Sequence, residues 1–202
     1  MSSTGSTLRA PVVLGDVVPG DRVRDAVLVL GGAALTALLA QVAIDVPPSP
    51  VPITGQTLAV GLVGATLGAR RGASSMALYA FLGLFLPVFS EGSSGWHVIW
   101  GATGGYIIGF IVAAYAIGWM AERGADRKVL TAFAAFVVGQ LIIFAFGLAG
   151  LKISVEESWG WTIHNGFSIF IVGGLVKAAI GAAVLPSAWS LVRKVDRRPG
   201  RS

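Results

Sequence analysis

The sequence predicts an all-α integral membrane protein, a bundle of six transmembrane helices with both termini in the cytoplasm. Hydrophobic residues make up 54% of the 202 residues and charged residues only 12%, about half the charged fraction of a soluble domain. Apolar runs long enough to cross a ~30 Å hydrocarbon core recur along the chain. Lys and Arg gather at the ends of these runs, so membrane topology explains the net charge of +5 and no nucleic-acid partner is expected.

The predicted organisation has three parts. Residues 1–21 are a flexible cytoplasmic tail, 22–192 a six-helix transmembrane substrate-binding domain and 193–202 a basic cytoplasmic tail. The first apolar run exceeds the 7–15 residues usual for a cleaved signal peptide, so it is interpreted as a spanning helix. The six predicted helices cover about 26–44, 58–69, 73–85, 101–121, 129–151 and 167–191.

The orientation follows from the side on which Lys and Arg lie. The loops 45–57 and 86–100 contain no Lys or Arg, and the loop 152–166 contains one. The turns at 70–71 and 123–128 and the two ends of the chain carry nearly all the rest. Cytoplasmic loops are the Lys- and Arg-rich ones, so both termini are predicted to be cytoplasmic.

Polar residues within or beside apolar segments are the candidates for a site. Lys177 lies about ten residues into the last segment, near the midplane, where a Lys costs roughly 2.5–3.5 kcal/mol. It either contacts an anionic or polar ligand, or it snorkels or pairs with a helix carbonyl. Gln140 either bonds a neighbouring helix or faces the same cavity as Lys177. Thr54, Gln56 and Thr57 follow a stiff proline-rich segment and form either a pocket wall or an N-cap.

The fourth predicted helix carries small residues at every fourth position: Gly101, Gly105, Gly109 and Ala113. Such a stripe allows close approach of another helix backbone. Tyr106 beside it is either an interfacial anchor or a ligand contact.

No enzyme is predicted. The chain has no cysteine and no H-E-x-x-H motif, and neither His97 nor His164 lies in a spanning segment. His97 has no second ligand at metal spacing, so no metal site is expected. The phosphate-binding G-x-x-x-x-G-K-[ST] motif is absent, so any use of ATP must be supplied by a partner.

Four motifs carry a resemblance to a known family. PVPITGQTLAV (50–60), LPVFSEG (86–92), GATGGYIIGF (101–110) and GGLVKAAI (173–180) resemble the BioY family, the biotin-binding S components of energy-coupling factor (ECF) vitamin transporters. The match runs in order from about residue 26 to 192. Gly174 departs from the pattern, which has an acidic residue three positions before the Lys.

The resemblance implies biotin uptake at the plasma membrane, with a transmembrane coupling subunit and two cytoplasmic ATPase subunits as partners. ATP would be used by those partners, and this chain would need no cofactor. Ala33 and Ala37 are the candidates for docking on the coupling subunit. The implied substrate-binding residues are Lys177, Tyr106, Gln56, Thr54, Gln140, Gly104, Gly105 and Gly174. Open alternatives are a carrier for another small anionic vitamin or solute, and a membrane scaffold, against which the midplane charge argues.

Overall fold

The computed structural model describes residues 13–18, 20 and 22–196, and this part of the chain is mostly helical. A two-stranded antiparallel pair, Ala43–Ile44 (β1) with Ile53–Thr54 (β2), closes the proline-rich segment. The helices are Arg22–Ala40 (α1), Gln56–Leu67 (α2), Ala69–Leu82 (α3), Trp96–Trp100 (α4), Gly104–Ala121 (α5), Val129–Ser154 (α6), Trp159–Gly166 (α7) and Ile171–Asp196 (α8).

Four stretches are long and apolar enough to cross a membrane: α1, α5, α6 and the stretch from Trp159 to Val195. Large apolar side chains cover their outer faces, for example Leu130 at 79% and Ile153 at 87% exposure. Exposed apolar surface of this extent is expected where a helix faces lipid. The predicted all-α membrane bundle is therefore confirmed in class, while the number of spans and the side of the termini stay predictions.

Helix α5 lies at the centre and packs against α2, α3 and α6. A Cβ atom on Gly105 would lie 2.9 Å from the Gly150 Cα of α6, and one on Gly109 would lie 3.0 Å from the Ile143 Cα. These distances are too short for a side chain, so the predicted small-residue stripe does bring two backbones together. Gly101 precedes α5 and takes no part in this contact.

The region around Arg70 and Arg71 differs from the prediction of a loop. Helix α2 ends at Leu67, and α3 begins immediately after Gly68, whose φ of 84° places it in a conformation that favours glycine. The Glu122 carboxylate accepts a hydrogen bond from the Ala69 backbone N–H at 2.8 Å. Both arginines therefore lie in the first turn of α3.

Two predicted external loops contain short helices, α4 within 88–100 and α7 within 152–166. The N-cap of α7 is Ser158, whose hydroxyl accepts from the Trp161 backbone N–H at 3.2 Å. Helix α6 also continues three residues beyond its predicted end, to Ser154. Because these helices are short, they depend on caps and tertiary contacts more than on apolar periodicity.

Part of the predicted N-terminal tail packs on the bundle. Leu14–Val17 form a 3-10 helix, and Val13 is buried with Phe136 and Leu185 at the end of the bundle where the arginines gather. Asp16 forms an ion pair with Arg71. Residues 1–12, 19, 21 and 197–202 lie outside the described part of the chain.

Candidate functional site

A cavity of about 320 Å³ lies at the end of the bundle opposite to Val13. Its walls come from the segment before α2, the turn after α3, the short α4 and the facing sides of α5, α6 and α8. Ligand pockets for small molecules measure about 300–1,000 Å³ and combine apolar walls with a few polar groups. The lining residues that the sequence singled out are Thr54, Gln56, Thr57, His97, Tyr106, Gln140, Gly174 and Lys177.

Lys177 supplies the cation. Its ammonium donates to the Thr54 backbone oxygen at 2.5 Å and to the Thr57 hydroxyl at 3.0 Å. Both acceptors are neutral, and the ion pairs found in the described part of the chain all involve Arg24 or Arg71 instead. An ammonium has three donors, so one N–H remains for a further acceptor, and its charge has no carboxylate beside it.

The polar residues at the start of α2 form a hydrogen-bonded chain. The Thr54 hydroxyl donates to Gln56 Oε1 at 2.7 Å, and Gln56 Nε2 donates to the Tyr79 hydroxyl at 2.6 Å. The Thr54 hydroxyl also accepts from the Gln56 backbone N–H at 3.3 Å, so it satisfies a free donor in the first turn of α2, although the residue at the N-cap position is Gly55. Thr54 therefore combines the two alternatives offered by the sequence, since it binds the start of α2 and lines the cavity, and Gln56 and Thr57 line the cavity with it.

Gln140 and Gly174 meet across α6 and α8. Gln140 Nε2 donates to the Gly174 backbone oxygen at 2.5 Å, and both residues line the cavity. The two alternatives for Gln140 are therefore both realised, since one end of its amide bonds a neighbouring helix while the residue faces the cavity of Lys177.

Tyr106 contributes its ring to the cavity wall and its hydroxyl to the fold. The residue is 7% exposed, and its hydroxyl donates to the Gly166 backbone oxygen at 2.8 Å. Its ring packs edge-on against Phe144, with centroids 6.4 Å apart. Phe144 in turn contacts Phe170, which also lines the cavity. This aromatic wall suits an apolar or ring-shaped ligand.

The cavity mouth is bounded by the turn Ser90–Gly92, which Gln41 holds in place. Gln41 Nε2 donates to the Phe89 backbone oxygen, and Gln41 Oε1 accepts from the Gly92 N–H, both at 3.0 Å. The turn is constrained, because Glu91 has a φ of 56°. Ser90 also lines the mouth. Its Oγ atom is buried and has no hydrogen-bond partner among the described residues.

Sequence reasoning missed Gln41, Tyr79 and Ser90. Gln41 ends an apolar run, and Tyr79 lies within one, so neither stood out. Their partners are distant in sequence, and only the folded chain brings them together. Ser90 lies within the LPVFSEG motif, which was the one available signal.

Four predicted residues lie outside this cavity. The Gly104 Cα faces the backbone of Ile99, and Gly105 faces α6, so both glycines serve backbone approach rather than the cavity lining. Ala33 is buried and Ala37 half-buried, and they line a shallow apolar groove between α1 and α3.

The cavity can hold a ligand that has an apolar body, a group accepting from Lys177 and other polar groups that meet amides and hydroxyls. In the described part of the chain, no three His, Cys, Asp or Glu residues are grouped to hold a metal ion.

Comparison with known proteins gives consistent results. The sequence model of the BioY family matches residues 8–194. The biotin transporter BioY2 of Lactococcus lactis is 37% identical over 76% of this chain and 83% of its own length. The biotin transporter BioY of Thermotoga maritima is 36% identical over 70% of this chain and 82% of its own.

The fold also matches a solved structure. The crystal structure of the S component for biotin from an ECF-type ABC transporter superposes with a TM-score of 0.74, covering 89% of this chain and 94% of that one. The sequence identity is 21%, so this likeness supports the fold.

Proposed function

This chain belongs to the BioY family, and on that premise we propose that it takes up biotin as the substrate-capture component of an ECF-type transporter. It is a transporter and not an enzyme. The similar proteins of Lactococcus lactis and Thermotoga maritima are biotin transporters, and the chain has the fold of a biotin S component. The cavity around Lys177 is the proposed binding site.

The finer architecture is part of the proposal. Residues 22–192 form six spanning helices in the plasma membrane, with both termini in the cytoplasm, because this arrangement satisfies the positive-inside rule at every loop. In this orientation the cavity opens to the outside, and biotin enters from there. A transmembrane coupling subunit and two ATPase subunits supply the ATP hydrolysis, for which this chain has no phosphate-binding motif. The groove lined by Ala33 and Ala37 is the proposed docking surface for the coupling subunit.

The chemistry of biotin suits this cavity. Biotin has a bicyclic head with a cyclic urea, an apolar chain and a carboxylate. The aromatic wall of Tyr106, Phe144 and Phe170 takes the apolar parts. The third N–H of Lys177 donates to an oxygen of biotin, while Thr54 and Gln56 hold the segment that positions the Lys177 ammonium.

One observation carries the proposal: among the described residues that line the cavity, Lys177 is the single Lys or Arg, and its charge has no carboxylate partner. A buried cation is stabilised when a ligand supplies an acceptor to its free donor. A ligand with a hydrogen-bond acceptor would therefore satisfy the free donor of Lys177.

The test is equilibrium binding of biotin to the detergent-purified protein by calorimetry. Lys177→Ala should weaken binding by about tenfold to more than a hundredfold, because hydrogen bonds to charged groups contribute roughly 1.5–3 kcal/mol. Lys128→Ala is the matched control, since Lys128 is exposed at the other end of the bundle.

Two results would contradict the proposal. A well-folded wild type that does not bind biotin would overturn biotin as the substrate, and other small anionic vitamins would then be screened. Equal affinities for Lys177→Ala and Lys128→Ala would remove Lys177 from the site.

A further inference from the structure

The amide of Gln140 occupies the space that a side chain at position 174 would need. A Cβ atom on Gly174 would collide with Gln140 Oε1 and lie 3.1 Å from Cδ and 3.3 Å from Nε2. The amide nitrogen also donates to the Gly174 backbone oxygen. The Gly174 backbone oxygen can only accept a hydrogen bond. If the Gln140 amide were flipped, Oε1 would face this oxygen and no hydrogen bond could form, so the orientation of the amide is fixed.

The oxygen of this amide has no partner. Among the described residues no donor reaches Gln140 Oε1, although the residue is 91% buried, with 9% of its surface exposed. This oxygen keeps some accessible surface. Among the described residues, the unpaired side-chain atoms that have almost none are Ser90 Oγ and Asp126 Oδ1. Since Gln140 lines the cavity, its oxygen is an acceptor open to a ligand. Buried acceptors almost always have a donor.

Neighbouring side-chain acceptors are already engaged. Gln56 Oε1 accepts from Thr54, and Thr57 Oγ1 accepts from Lys177. The Lys177 ammonium itself only donates. Near Gly174, one turn of α8 from Lys177, Gln140 Oε1 is therefore the side-chain acceptor that has no donor among the described residues.

We propose that Gln140 Oε1 accepts a hydrogen bond from an N–H of the cyclic urea of biotin, and that position 174 must be glycine to seat this amide. The inference rests on the proposed biotin function and deepens it. Gln140 is then a specificity-determining residue, because it selects ligands that present an N–H and does so with a neutral group.

The first experiment compares biotin with an analogue methylated on both urea nitrogens, using the purified full-length protein and calorimetry. The wild type should prefer biotin, and Gln140→Leu should reduce biotin affinity about tenfold, because a donor of the ligand loses its acceptor. In the same variant, the ratio of the affinity for biotin to the affinity for the methylated analogue should fall by about the same factor. The added methyl groups are equally bulky for both proteins, so the change in preference isolates the hydrogen bond.

A folded Gln140→Leu protein that keeps the wild-type preference would overturn the inference and leave the biotin function intact. A wild type that binds neither compound would overturn the biotin function itself. Folding is checked by gel filtration and melting temperature.

The second experiment tests the glycine and does not depend on the folding of Gln140→Leu. Gly174→Ala should displace the amide and lower biotin affinity about tenfold. Gly173→Ala is the matched control, because a Cβ there would lie 3.8 Å from Ile53 Cγ2, an ordinary contact. Adding Gln140→Ala to Gly174→Ala should lower biotin affinity little further, because the displaced amide no longer contacts the ligand. Equal biotin affinities for Gly174→Ala and Gly173→Ala would contradict the inference.

Discussion

Replacing Tyr106 with Phe should destabilise the bundle while leaving biotin affinity within about threefold. The change removes one hydroxyl, which donates to the Gly166 backbone oxygen at 2.8 Å. It keeps the ring on the bare surface of Gly147 and edge-on to Phe144. Gly166 is buried, and a buried acceptor left without its donor costs about 1–3 kcal/mol. For a chain of this size, that corresponds to a melting temperature lower by roughly 2–12 °C.

The assay measures melting temperature and biotin affinity on the same detergent-purified samples. Tyr115→Phe is the matched control, since Tyr115 lies on the same helix and is 50% exposed. The two properties separate the two roles considered for Tyr106. An unchanged melting temperature with affinity reduced tenfold or more would refute the reasoning, because the hydroxyl would then contact the ligand instead of the end of α7.

Two further changes probe the two ends of the bundle. Gln41→Ala removes both hydrogen bonds that hold the turn Ser90–Gly92. It should weaken biotin binding severalfold in calorimetry with little change in melting temperature. Unaltered binding would show that the turn keeps its shape without these bonds. Burial raises the pKa of the Asp126 carboxyl above its usual value, an effect that the hydrogen bond from Trp189 only reduces. The folded state therefore holds this proton more tightly than the unfolded state, so stability falls as pH rises above about 4. Asp126→Asn should raise the melting temperature at neutral pH and flatten its pH dependence, and an unchanged slope would contradict this assignment.

The long helices were predictable because the bilayer sets their length and composition. Predicted spans 101–121 and 129–151 differ by three residues at one end from α5 and α6. Helices α4 and α7 were interpreted as loops, because each is only one or two turns long and too short to show a helical pattern of apolar residues. The start of α3 was misplaced because Arg70 and Arg71 suggest a loop, whereas a single glycine suffices to join α2 to α3.

Part of the site was predictable for an energetic reason. A Lys or Gln inside an apolar run is costly, so the sequence alone indicates that Lys177 and Gln140 have polar partners. The sequence could not say that Gln140 rests on Gly174, because that contact depends on how α6 and α8 are aligned. The sequence also could not show which segments the glycines of the GATGGYIIGF motif face. They suggested ligand contact, whereas Gly104 and Gly105 accommodate the backbones of neighbouring segments.

The two ends of the bundle differ in what would have to break for them to open. Around the cavity mouth, short elements are held by a few side-chain hydrogen bonds, such as those of Gln41 and the one from Ser49 Oγ to the Asn165 backbone oxygen at 2.8 Å. Each such bond contributes only about 0.5–1.5 kcal/mol, so this end belongs to the less stable part of the fold.

Beneath Lys177 the packing is much tighter. The Phe136 ring fills the space above both Gly61 on α2 and Gly181 on α8, one turn of α8 below Lys177, and Val13 closes the same end of the bundle. A path through this end would require helices to separate and a large apolar contact to be lost, which costs far more than a few hydrogen bonds. Opening the cavity end therefore costs this chain less than opening the end that Val13 closes. That asymmetry is what the proposed division of labour between a binding subunit and ATP-hydrolysing partners would need.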